Sequence, residues 1–146
     1  MEQTWLKGHH LLGLQGVSAE DIQLILNVAK KMKKVILSED KKMPLLKGKA
    51  IINLFMEPST RTRSSFELAG KYLGADVINL TPSASSIVKG ESFRDTLLTV
   101  SAMGTDAIVM RHKQEGAPLY ATKAVEPIII NAGDGGHSHP TQTLAD

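Results

Sequence analysis

A chain of 146 residues, 42% hydrophobic and 22% charged, is enough for one globular domain with a core of its own. A formal net charge of +2 is too small to suggest nucleic acid or a membrane surface as a partner, and 4% aromatic residues argue against a base-stacking platform. No apolar run reaches the length of a membrane span, the first residues lack a signal-peptide core, and zero cysteines exclude disulfides and thiol chemistry, so a cytoplasmic location is expected.

Residues 18 to 37 predict an amphipathic helix, with Ser18 as N-cap and Glu20 and Asp21 in the first turn. Ile22, Ile25, Ala29, Met32 and Ile36 recur at helical spacing and are expected to face a core. The lysines at 30, 31, 33 and 34 read as a solvated face that complements the dipole. A polar connector, 38 to 48, leads to the apolar run 49 to 56, the pattern of a strand buried on both faces. A helix from Ser59, with Phe66, Ala69, Gly70 and Leu73 on one side, ends at Gly74. Ala75 to Leu80 predict a second strand, and a Ser/Pro/Gly-rich loop spans Thr81 to Gly90. Residues 91 to 103 predict a helix with Phe93, Leu97 and Val100 inward. Asp106 to Arg111 follow as a third strand, 116 to 124 as a short helix, and Pro127 to Asn131 as a fourth strand. Alternating strands and helices imply an α/β fold: a three-layer α/β/α sandwich on a four-stranded parallel sheet, with an added N-terminal helix.

In a parallel sheet the C-terminal ends of all strands share one edge, where ligands bind. Ser59 to Arg63, the serine-rich loop, Arg111-His112 and Asn131 to Gln142 all fall on that edge. The run Ser59-Thr60-Arg61-Thr62-Arg63 is the most informative of these. A strand-to-helix turn leaves N–H groups unpaired at the positive end of the helix dipole, which makes an anion site. Hydroxyls and two forked guanidiniums suit it to a phosphoryl group. N-capping alone accounts for Ser59 or Thr60 but not for adjacent arginines, whose charge opposes the dipole. Of the 17 basic residues, lysine makes up 13 and arginine only four: 61, 63, 94 and 111. Lysine is the general solubilising cation of this chain, so arginines at strand ends point to bidentate recognition of an oxyanion.

The remaining motifs admit more than one reading. Ser83 to Glu91, with one cation and several hydroxyls, suits a flexible connector and a ligand loop equally. Arg111 directly follows four apolar residues and is either an exposed strand terminus or a site residue. The segment Asn131 to Gln142 lacks the G-x-G-x-x-G spacing, and no Walker A pattern occurs. His137 and His139 with Asp134 are weak candidates for a metal trio, because no further acidic or histidine cluster accompanies them. The alternative is a histidine donating to a reacting oxygen, with Gln142 one turn onward. His9 and His10 sit in no motif and are expected at the surface.

Four elements together resemble the aspartate/ornithine carbamoyltransferase family, and within it the aspartate branch. They are Ser59-Thr60-Arg61-Thr62-Arg63; Ser85-Ser86 followed by Lys89-Gly90-Glu91-Ser92; Val109-Met110-Arg111-His112; and Asn131-Ala132-Gly133-Asp134-Gly135 with His139-Pro140-Thr141-Gln142. Lys89 in Lys89-Gly90-Glu91 and the Gly-Asp-Gly lead-in favour the aspartate branch. The resemblance implies strand order 2-1-3-4 and carbamoyl transfer from carbamoyl phosphate to the amino group of L-aspartate, the committed step toward pyrimidines. It implies that Ser59, Thr60, Arg61 and Thr62 grip the phosphate. Arg111 spans phosphate and carbonyl oxygen, His139 with Thr62 polarises that carbonyl, and Gln142 contacts the carbamoyl amide. Ser85 and Lys89 are implied to reach a neighbouring subunit's site, giving a homotrimer with shared active sites. No metal and no organic cofactor is implied, because fixed donors aimed at the developing charges supply the stabilisation.

Chains of this family are about twice as long, with a second domain that binds aspartate. The expectation is therefore a carbamoyl-phosphate domain, 1 to 146, that binds its ligand weakly and turns over little or not at all on its own. Acceptor choice resides mainly outside these residues, which leaves ornithine as an alternative acceptor. A noncatalytic phosphate- or nucleotide-binding α/β domain is the alternative from another class.

Overall fold

The structure, a computed structural model, describes residues 9 to 82 and 92 to 146. Ser18 starts the first helix, α1 (Ala19–Ile36), by accepting a hydrogen bond from the Asp21 N–H at 3.1 Å. A 3₁₀ turn (Pro44–Leu46) inside the connector precedes β1 (Ala50–Phe55) and α2 (Thr60–Tyr72). Next come β2 (Asp76–Leu80), α3 (Phe93–Ala102) and β3 (Ala107–His112). The chain continues as α4 (Ala117–Ala124), β4 (Ile128–Asp134) and α5 (Pro140–Ala145). Reciprocal bonds between Ser92 and Asp95 form a capping box that starts α3.

The four strands form one parallel sheet in the order β2-β1-β3-β4, as expected. Alternation divides its faces. Ile52, Leu54, Ile108, Met110 and Ile129 pack with Leu97 and Val100 of α3 and Ala117 and Ala121 of α4. Phe55, Val109 and Ala132 form the second cluster, with Phe66 of α2 against it. Burying both faces is what makes the inner strands β1 and β3 read as continuous apolar runs, whereas the edge strand β2 stays largely exposed. Leu54, Ile108, Met110 and Ile129 are fully enclosed.

Three expectations need correction. β4 runs three residues past Asn131, because an irregularity between Met110 and His112 lets β3 stay paired as far as His112 with Asp134. The apolar stripe of α1 is only half covered: Ala29 and Ile36 are exposed. The helix lies beside the end of α2, where Val28, Met32 and Val35 share an apolar groove with Met43, Tyr72 and Leu73. His10 is partly buried, and its Nδ1 accepts the Ile129 N–H at 2.9 Å. It belongs to an N-terminal segment laid along β4: Leu11 N–H donates to the Ile129 carbonyl, and Asn131 N–H donates to the Leu11 carbonyl. This segment covers a sheet edge that would otherwise be unpaired.

Candidate active site

At the C-terminal edge of the sheet, a cleft of about 810 Å³ is lined by Ser59, Thr60, Arg61 and Thr62 from α2 and its cap, Arg111 from β3, and His139, Thr141 and Gln142 around the start of α5. Seven of the nine residues expected from sequence therefore share one cavity. The other two, Ser85 and Lys89, lie outside the described residues.

β1 ends at Phe55 and hands over to α2 through a short turn. Ser59 occupies the N-cap position in extended backbone, yet its side chain makes no capping bond. No acidic residue lies in the first turn of α2. The first intrahelical bond runs from Arg63 N–H to the Ser59 carbonyl, so the N–H groups of 60 to 62, residues that line the cleft, precede the helical ladder. A helix start with no carboxylate and an uncommitted cap is electropositive and suits a bound anion.

Arg111 sits opposite Phe55 in the β1–β3 register, and its carbonyl accepts the Met56 N–H at 2.9 Å. Its Nη1 donates to the Ala132 carbonyl at 3.1 Å, anchoring one branch of the fork to β4. Among the described residues the buried Nε has no hydrogen-bond partner; the Glu57 carboxylate approaches it only to 3.9 Å. A buried guanidinium donor without a partner has a strong affinity for an oxyanion. Gly133 lies beneath this group: at φ +124°, a Cβ there would come within 3.2 Å of Arg111 Nη1 and 3.6 Å of His139 Cδ2. Only glycine lets the two cleft side chains settle this close to the backbone of β4.

His139 is the residue before α5, and its carbonyl accepts the N–H of Thr143. Its Nδ1 is buried and has no hydrogen-bond partner among the described residues. Burial first, and then the neighbouring charge of Arg111, hold its pKa below the usual histidine value. The ring is therefore neutral at neutral pH, able to donate one N–H to a carbonyl oxygen without adding charge.

Asp134 is buried and draws His137 onto its carboxylate, with Nδ1 to Oδ2 at 3.1 Å. His139 lines the cleft instead. Among the described residues, no three His, Cys, Asp or Glu side chains converge on a point that would hold a metal ion. Sequence reasoning missed Thr141, Ser65 and Phe66 in the cleft lining and the approach of Glu57 to Arg111. Thr141, two residues after His139 and next to Gln142, had a signal in its spacing. Glu57 had none, because its role depends on the β1–β3 register.

An open parallel sheet whose strand ends present a helix start, a guanidinium and a neutral histidine to one cleft is an α/β anion-binding domain. Residues 9 to 146 match the family model described as aspartate/ornithine carbamoyltransferase, carbamoyl-P binding domain, and the chain belongs to that family. It is 50% identical over 141 residues to the aspartate carbamoyltransferase catalytic subunit of Moorella thermoacetica, a match covering 97% of this chain and 46% of that one. With the catalytic subunit of Desulforamulus reducens it is 55% identical over 136 residues, covering 93% and 44%. The chain thus spans less than half the length of these relatives. Among solved structures it is similar to Trypanosoma cruzi aspartate transcarbamoylase in complex with N-(phosphonacetyl)-L-aspartic acid, at TM-score 0.88 and 37% identity, covering 97% of this chain and 44% of that one. The catalytic subunit of M. jannaschii aspartate transcarbamoylase gives TM-score 0.83 at 46% identity, covering 92% of this chain and 44% of that one.

Proposed function

We propose that this domain binds carbamoyl phosphate and supplies the carbamoyl-donor half of an aspartate carbamoyltransferase. The observation that carries this reading is the convergence of Ser59 to Thr62, Arg111, His139 and Gln142 on one cleft. The α2 start and Arg61 grip the phosphate, Arg111 bridges phosphate and carbonyl oxygen, His139 with Thr62 donates to that carbonyl, and Gln142 holds the carbamoyl amide. The amine nitrogen of L-aspartate attacks the carbamoyl carbon and sheds a proton. The bond from that carbon to the phosphate oxygen breaks, and phosphate leaves carrying the proton that the amine gave up. Charge accumulates first on the carbonyl oxygen and then on the phosphate, and donors fixed on rigid elements stabilise both without reorganising. Holding donor and acceptor together removes much of the entropic barrier.

Aspartate as the acceptor is supported by the names of the relatives and by a T. cruzi structure described as a complex with carbamoyl phosphate and aspartate. Residues 1 to 146 act as the carbamoyl-phosphate unit, with the acceptor's groups contributed from outside them. In the assembled enzyme, a cytoplasmic homotrimer, Ser85 and Lys89 complete the site of a neighbouring subunit.

A thermal-shift panel tests the reading. Millimolar carbamoyl phosphate or N-(phosphonacetyl)-L-aspartate is expected to raise the melting temperature, as mass action requires for a ligand of the native state. Arg61→Ala should abolish the rise. Stabilisation by nucleotides with no response to carbamoyl phosphate would overturn it.

A further inference from the structure

Next to the cleft, and outside its lining, lies a polar pair that the proposed chemistry does not use: Asn131 and Asp134, with relative exposures of 1% and 2%. The Asp134 carboxylate accepts from Ser138 N–H at 2.9 Å, Gly116 N–H at 3.0 Å and Asn131 Nδ2 at 3.1 Å, and it contacts His137 Nδ1. Burial pushes its pKa up, but these bonds outweigh it and leave the pKa below the ordinary aspartate value. The Asn131 amide group also donates to the Leu12 carbonyl at 2.9 Å and the Ser138 carbonyl at 3.3 Å, while its Oδ1 accepts the Gly133 N–H at 2.8 Å. One hub thus ties the N-terminal segment, the start of α4, β4 and the 135–138 turn together.

We infer that Asn131 and Asp134 are positioning residues for the carbonyl-binding wall of the cleft. Two routes lead from the hub to that wall. Asp134 fixes Ser138, directly before His139. Asn131 fixes Gly133, whose Cα is the surface on which both Arg111 and His139 rest, and the neighbouring Ala132 carbonyl holds Arg111 Nη1. A buried carboxylate is costly unless fully satisfied, and a strand end needs none. Its effect here is to fix the angle at which the turn presents His139. Among the described residues, no hydrogen bond joins Ser59 to Thr62 to the hub, so phosphate, which those residues are proposed to hold, should feel the hub less than the carbonyl does.

This inference rests on the carbamoyl-phosphate reading for its ligand, but not for its test. The chain and its variants Asp134→Asn, Asn131→Ala and His137→Ala would be titrated with inorganic phosphate and with carbamoyl phosphate. The His139 ring resonances would be recorded by NMR without ligand. In Asp134→Asn and Asn131→Ala, carbamoyl phosphate should weaken about tenfold, phosphate should weaken less than about threefold, and the His139 resonances should move. His137→Ala removes a largely exposed partner of Asp134, so it keeps the test alive if the buried variants fail to fold. Its selectivity should shift in the same direction by about two- to threefold, with His139 displaced. Equal weakening of both ligands, or unmoved His139 resonances in the variants that fold, would overturn the inference. If the parent chain ignores carbamoyl phosphate, the proposed function falls, while the His139 resonances still decide whether the hub positions that ring.

Discussion

At the scale of single residues, the cleft is governed by which donors are left uncommitted. Among the described residues, Arg111 Nε and His139 Nδ1 are both buried without a hydrogen-bond partner, and both belong to side chains that line the cleft where the anion is proposed to sit. Glu57 competes for Arg111 from 3.9 Å on a partly exposed side. An ion pair of that length and exposure is worth at most about 1 kcal/mol. Glu57→Gln should therefore tighten inorganic phosphate binding by up to about fivefold, read by titration calorimetry; unchanged or weaker binding would show that Glu57 does not compete. Gly133→Ala should act oppositely. Its left-handed φ and the 3.2 Å approach to Arg111 Nη1 predict a loss of about 1–3 kcal/mol in unfolding free energy, with weakened carbamoyl phosphate binding. Retained stability and affinity would contradict the close packing of Arg111 on β4.

Among the elements, α2 carries the greatest burden: its first turn builds the anion site, and its body must seat on β1 and β2. Gly70 allows that seating. A Cβ at this position would lie 2.6 Å from Val77 Cγ2 on β2. Gly70→Ala should destabilise by about 1–3 kcal/mol through overpacking, despite alanine's better helix propensity. Val77→Ala in the same chain should recover part of that loss, a non-additivity measurable by a double-mutant cycle in urea. Strictly additive losses would rule out the clash. The motif at the start of α2 was legible because its chemistry is local: strand, turn, hydroxyls and arginines are consecutive. The end of β4 was not legible, because Ala132 to Asp134 look like turn residues until pairing with His112 extends the strand.

For the molecule as a whole, acid should be destabilising by two routes of the same sign. His10, His112 and His139 have pKa values lowered, first by burial; His9, Lys113 and Arg111 respectively add to this by charge, and Glu57 partly opposes it at His112. A histidine with a depressed folded pKa binds its proton more readily in the unfolded chain. Stability is then complete above the unfolded value of 6.5 and declines as pH falls below it. His112 illustrates the cost, since its Nδ1 must stay unprotonated to accept the Gln114 N–H at 3.0 Å. Asp134, with its lowered pKa, contributes stability above the ordinary aspartate value that is lost only in stronger acid. Urea midpoints are expected to be flat from about pH 8 to 7 and to fall steadily toward pH 5. A midpoint constant across that lower range would show that these rings are not held neutral by the fold.

The residue order carried the layered architecture, the strand polarity and the chemistry of the anion site, because these depend on local periodicity and on residues adjacent in the chain. Tertiary structure alone decided how that site is finished. The register of β3 against β1 and β4 sets Arg111 between Glu57 and the Ala132 carbonyl. The bulge carries β4 on to Asp134, and Leu12 reaches Asn131 from 119 residues away. Those relations join parts of the chain whose composition holds no trace of one another, so they exist only once the sheet has closed and its buried polar groups have found partners.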